Sequence, residues 1–269
     1  MKVYNFYSYE QQDEFIINLF DQKTNGFFID IACGNPLLGN NSYALDSQFA
    51  WTGLCFESGD VSTAHFVSGQ DQEIQTVKFS DVRNAELIQI DVTTAEFSEL
   101  LRQRIPATQI VDYISVDVDS GGRNFALDAL QKIVDAGVRF KAMTFEHEIY
   151  LNDTIQQSSR ELLESLGYRR LFSNIRLWGG GVIDDVGKFS EDWWIDPTYF
   201  DKDILDIAKS DDYFFNCVKA LKEYRGADYK ALHHCCSAFA NELDMFDIYD
   251  SHSYNGHVIR TPGWKSAWE

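Results

Sequence analysis

The feature that most constrains this chain is a repeated alternation. Short apolar, strand-like runs are separated by helix-like stretches from Gly26 to Asn174. The runs are Gly26–Cys33, Thr52–Glu57, Gln75–Phe79, Leu87–Val92, Val111–Val118, Phe140–Phe145 and Tyr168–Asn174. Between them, Asn41–Phe49, Ala95–Gln103, Arg123–Ala136 and Ser158–Leu166 carry helical spacing; in Arg123–Ala136 the apolar positions are Phe125, Leu127, Leu130 and Ile133. Runs bounded by turn residues and apolar throughout are those of strands buried on both faces. Strands alternating with helices predict a mainly parallel sheet covered on both sides. Residues 1–25 read as a helical segment, with Phe15, Ile16, Leu19 and Phe20 on one face. A soft boundary near residue 200 leaves 26–200 as the central α/β domain and 201–269 as a helical extension.

Charge narrows the partners. Lys plus Arg number 23 and Asp plus Glu 42, a formal charge of −19. Affinity for nucleic acid comes from cations that neutralise phosphates, and no dense basic stripe is present. Nucleic acid is therefore not expected as a partner. No apolar run is long enough to span a bilayer, and residues 1–12 lack the pattern of a secretory signal. The five cysteines, two of them adjacent, read as buried thiols in a reducing, cytoplasmic setting.

Ligands of a doubly wound sheet bind beyond the carboxyl ends of its strands. The first parallel strand ends at Cys33-Gly34-Asn35-Pro36, where Gly34 lets backbone approach a ligand. The spacing is not that of a pyrophosphate-cradling loop, which disfavours a nicotinamide or nucleotide-sugar enzyme. Asp30 lies inside that strand, placed to hold loop amides or a cationic ligand group. The second strand ends at Glu57-Ser58-Gly59, where a carboxylate is placed to accept two ribose hydroxyls. Together these point to a nucleoside-bearing cofactor without a pyrophosphate.

The segments Gly26-Phe-Phe-Ile-Asp-Ile-Ala-Cys-Gly-Asn35, Asn41-Ser42-Tyr43 and Trp51-Thr-Gly-Leu-Cys-Phe-Glu57 resemble the FkbM family of methyltransferases. So do Leu87–Leu101, Val111–Val118 and Glu191-Asp-Trp-Trp-Ile-Asp-Pro197. The resemblance covers about residues 24–197. It implies a Rossmann-like class I methyltransferase fold and S-adenosylmethionine as cofactor. Asp30, Cys33, Gly34 and Asn35 would face its methionine part, with Asn41 and Ser42 close by. Glu57, followed by Ser58, would hold the ribose. Ser80 and Asp81 would lie near the adenine, and Asp117 would border the methyl donor. The reaction implied is O-methylation of a small-molecule or carbohydrate acceptor. The sequence departs from the family at Ala32-Cys33, Ser58 and Asp119-Ser120-Gly121. These departures keep a second reading open, a degenerate Rossmann-like scaffold or partner-binding protein.

Asp117 and Asp119 end the clearest strand, and Glu146-His147-Glu148 ends the next. Three readings stand. His147 is a general base oriented by Asp117 or Glu146; or Asp117, Asp119 and Glu146 or His147 bind a divalent metal; or the carboxylates only cap loops and helices. Trp193 and Trp194 read either as a sugar-stacking platform or as packing. His233-His234-Cys235-Cys236 lacks metal-site spacing and reads as part of a packed helix.

Overall fold

The computed structural model describes residues 1–68, 73–119, 122–149, 151–176, 189–207 and 214–234. Five strands run parallel: β2 (Phe27–Ile31), β3 (Thr52–Glu57), β6 (Glu86–Gln89), β7 (Ile110–Val116) and β8 (Arg139–Glu146). With β9 (Arg169–Arg176) and β10 (Phe189–Ile195) they make a seven-stranded sheet in the order β6-β3-β2-β7-β8-β10-β9. β10 lies antiparallel to both of its neighbours. The mainly parallel sheet expected from the alternation is found, and its strand order is the doubly wound, Rossmann-like one that the resemblance implied. The strand order reverses between β2 and β7, so the crevice at their carboxyl ends is the switch point where such sheets bind ligands.

Alternation along the strands sorts residues between two cores. Ile29, Ile31, Phe56, Ile114 and Val116 pack beneath α4 (Ala95–Arg104), α5 (Phe125–Asp135) and α6 (Asp153–Ser165). Phe28, Trp51 and Tyr113 face the other way, toward α1 (Gln12–Leu19) and α2 (Tyr43–Phe49). Trp193 belongs to this second core and Trp194 to the first, and both are fully buried. The two tryptophans are packing, not an exposed sugar platform. β3 crosses β2 so closely that a Cβ on Gly53 would sit 2.5 Å from the Phe28 carbonyl oxygen.

Three stretches differ from the expectation. Residues 1–25 are not wholly helical, because Lys2–Phe6 forms strand β1 before α1 begins. In the extension, α7 (Lys202–Ile207) and α8 (Phe214–Arg225) are helices, but Tyr229–His233 forms strand β11 and pairs in parallel with β1. Ala231 and Leu232 favour helix locally, and pairing with a distant strand overrides that preference. Cys235, Cys236 and the rest of the extension lie outside the described residues. The run near Gln75–Phe79 is no member of the main sheet either. It is β5 (Glu73–Lys78), hairpinned with β4 (Thr63–Ser68), and β6 takes the third parallel position. Among the described residues, no helix is long and apolar enough to cross a membrane.

Candidate active site

The loop after β2 turns sharply. Ala32 and Gly34 adopt left-handed backbone at φ 57° and 55°, a region where a non-glycine residue is uncommon. Beside Gly34 there is room, since an added Cβ would meet nothing nearer than the Ala32 carbonyl at 3.9 Å. At the end of neighbouring β3, Glu57 accepts a hydrogen bond from the Gly34 amide through Oε2 at 3.1 Å. Its Oε1 accepts from the Ser58 amide at 2.8 Å. Cys33 is buried, with its amide on the Phe56 carbonyl. Asn35 uses its side-chain oxygen to accept from the amides of Leu37 and Leu38, closing the next turn.

Behind this loop lies a polar layer that period-two alternation puts on one face. Asp30 pairs in register with Cys55 on one side and Ser115 on the other. Asp30 is buried and accepts from the Ser42 hydroxyl at 2.6 Å. Burial pushes its carboxyl up to about 6, despite the opposing Ser42 bond and the nearby Arg83 charge. Arg83 holds the layer together. It donates to Asp46, Ser42, Asn40 and the Pro36 carbonyl. Asp30 and Ser42 thus support the loop from beneath. Asn41 bridges the two halves of the sheet, donating to Ser115 and to Asp117 Oδ2 at 3.1 Å each.

Carboxylates gather at the far side of the crevice. Asp119, Glu146 and Glu148 each present an oxygen within 4.8 Å of the others. Glu191 stands opposite Glu146 in the β8–β10 pair and is buried. Burial raises the Glu146 carboxyl well above its ordinary range, and neighbouring Asp117 adds to the rise. Glu191 is raised for the same reasons, burial first and then the charge of Glu10. Asp119 is raised by burial and by Asp117, Glu148 and Glu57.

His147 does not join them. Alternation beyond β8 turns it to the opposite side, where it is fully buried. Its Nε2 lies 3.1 Å from Gln156 Nε2 and 3.7 Å from Asp192 Oδ1. Asp192 is gripped by Arg160 at 2.7 and 2.8 Å. Burial alone would raise the Asp192 carboxyl, but these donors hold it well below the usual range. His147 is a core residue of this ion-pair network, out of reach of an acceptor at the sheet edge.

Of the residues singled out by sequence, the fold brings Gly34, Glu57, Asn41, Asp117, Asp119 and Glu146 to one edge. Ser58 is exposed beside Glu57. Ser80 and Asp81 are exposed on a short helix, α3 (Phe79–Val82), that precedes the third parallel strand instead of following it. The position after that strand belongs to Ile90 and Asp91, with the Ile90 amide on the Glu57 carbonyl. Arg83 and Asp46 were not singled out, and Glu148 and Glu191 were named only as parts of the Glu146–Glu148 and Glu191–Pro197 segments, with no role of their own. Their roles depend on contacts between segments that no local pattern announces.

No protein-family model matches the chain, and no curated protein matches it. A selenomethionine-substituted CurJ carbon methyltransferase is a similar solved structure, at 9% identity and a TM-score of 0.37. The likeness covers 64% of this chain and 48% of that one, so the chain spans about half the length of its match. The fold assignment above rests on the strand order, not on this likeness.

Proposed function

We propose that this chain is a methyltransferase that binds S-adenosylmethionine at the β2–β7 switch point and methylates an acceptor hydroxyl. The observation that carries the reading is the Glu57–Gly34 bond between the ends of β3 and β2, beside that point, at 3.1 Å. It sets a carboxylate at the end of the second strand, facing a left-handed glycine turn at the end of the first. The residues fit the cofactor in two respects. The space beside Gly34 is open, and the surrounding carboxylates favour a cationic sulfonium and ammonium over a pyrophosphate. Among the described residues, the buried guanidinium nearby, Arg83, is already bound to Asp46, Ser42 and Asn40 and is not offered to a phosphate.

In this reading Glu57 holds the ribose hydroxyls, and the backbone from Cys33 to Asn35 lies along the methionine end. Asp117, fixed by Asn41, borders the reacting methyl. When bound, the cofactor supplies an activated methyl on a good leaving group. What remains for the protein is in-line positioning of the acceptor and exclusion of water. The O-methyl outcome and a sugar or other small hydroxylic acceptor follow from the family resemblance.

The test is calorimetric titration with S-adenosylmethionine, S-adenosylhomocysteine and NAD, with Glu57→Ala as control. Binding of the first two, lost at least tenfold in the variant, is the expected result. Failure of both to bind to a cooperatively folded protein overturns the reading and leaves a scaffold role.

A further inference from the structure

We propose that the segment Tyr7–Gln12 walls the acceptor side of the crevice, and that the ring of Tyr9 limits how large a group can approach the cofactor's methyl. This role rests on the methyltransferase reading and falls to residues which that reading leaves unused.

The segment joins β1 to α1 and is held at two places. At one, Tyr9 lies against the loop that follows β2. Gly39 of that loop turns left-handed at φ 65°, and a Cβ there would run into the Tyr9 ring. Tyr7 packs edge-on against Tyr43 with ring centroids 4.6 Å apart, and Tyr43 opens α2 directly after Asn41 and Ser42. At the other, Gln12 donates to Glu191 and, at 3.2 Å, to Glu10. Glu191 belongs to β10, opposite Glu146. In the sheet, β7 and β8 lie between β2 and β10. A segment held at the β2 loop and at β10 therefore spans the ends of β7 and β8, where Asp117 emerges.

The span is stiffly built. Asp13 accepts from the amides of Tyr7 and Ser8 and from the Ser8 hydroxyl. Gln11 takes left-handed backbone at φ 60°, which a non-glycine residue adopts where its surroundings impose it. Behind the segment, Phe15 stacks on Trp193 at 4.3 Å. Connecting segments normally run over the surface with their polar groups in water. Here Ser8, Glu10, Gln11 and Gln12 are buried, and from Ser8 to Leu19 the one exposed side chain is Tyr9, at 39%. The wall thus offers a ligand a single large ring with two rotatable angles, which costs little entropy to fix.

The cofactor reading puts the ribose at Glu57, on the β3 side of Asp117. In-line transfer requires the acceptor to approach the methyl from the side away from the sulfur. In this reading that is the β8–β10 side, which the segment bounds. An acceptor, or any larger group standing where the methyl stands, then competes with Tyr9 for room.

The experiment is calorimetric titration of the full chain with two probes. One is S-adenosylhomocysteine. The other is an S-adenosylmethionine analogue in which nitrogen replaces the sulfonium sulfur and bears a benzyl group instead of the methyl. The benzyl probe is expected to bind the native chain at least about tenfold more weakly than S-adenosylhomocysteine, the scale of a steric overpacking. Tyr9→Ala and Tyr9→Ser should each close most of that gap while binding S-adenosylhomocysteine as before. Tyr9→Phe, which keeps the ring, should keep the gap. Cooperative thermal unfolding shows that each variant is folded, and either small variant alone suffices. No gap in the native chain, or a gap that the small variants leave in place, overturns the proposal and spares the methyltransferase reading. Binding of neither probe to the native chain removes that reading, and the wall's role with it.

Discussion

Arg83 and Asp46 meet at 2.9 Å between Nε and Oδ2, with both side chains completely enclosed. Asp46 also accepts from the amides of Asn84 and Ala85, so one carboxylate ties α2 to the segment leading into β6. Removing one partner of such a pair leaves an uncompensated buried charge, at a cost of about 3–5 kcal/mol. Arg83→Met is therefore expected to lower the urea midpoint steeply. Arg83→Lys should recover only part of the loss, because an ammonium cannot reproduce the planar fork that reaches Asp46, Ser42 and Asn40 together.

Asp192 supplies a pH test. Its folded-state proton affinity lies below that of an unfolded carboxylate. Its contribution is thus present above the ordinary carboxylate range and is lost as pH falls beneath it. Arg160→Met removes the main donor and should move the acid-unfolding midpoint to higher pH, followed by circular dichroism. An unmoved midpoint would show that the His147–Asp192–Arg160 network does not govern acid stability.

Asp13 runs in the opposite direction. It accepts from the Tyr7 and Ser8 amides at 2.6 and 3.3 Å, and burial lifts it from 3.8 to about 6. The folded chain holds this proton more tightly than the unfolded chain. Its contribution is therefore full below 3.8 and declines as pH rises to about 6. Asp13→Asn should flatten the stability profile across that window, by up to about 3 kcal/mol at roughly 1.4 kcal/mol per pH unit. Urea unfolding at several pH values across it is the measurement.

Gly53→Ala tests the close approach of β3 to β2. The added carbon would meet the Phe28 carbonyl at 2.5 Å, and backbone inside a sheet has little room to yield. A loss of about 1–3 kcal/mol or more is expected in thermal or urea unfolding. Gly59→Ala, where an added Cβ meets nothing within 4 Å, should have almost no effect.

The parallel sheet was legible because buried strands such as Val111–Val118 carry their own signal, apolar composition bounded by turns. Gly34 and Glu57 were legible because strand ends locate a crevice before any coordinates exist. The strand at Tyr229–His233 was not, since its pairing is set by residues at the other end of the chain. Nor was β10, whose Glu191-Asp192-Trp193-Trp194 places one acid and one tryptophan on each face of a strand buried on both sides. His147 misled for a simple reason. A histidine between two glutamates looks catalytic in a line of text, whereas a strand turns neighbours to opposite sides.

The parallel pairing of Lys2–Phe6 with Tyr229–His233 also has a consequence for biosynthesis. Lys2–Phe6 leaves the ribosome long before the strand it pairs with. At typical elongation rates it waits on the order of 10 s or more. Throughout that interval the Phe6 carbonyl, which finally accepts from the His234 amide at 2.8 Å, has only water to bind. Closure of this small sheet is then a late event in maturation, and a nascent chain halted before residue 229 would present Lys2–Phe6 to chaperones and proteases.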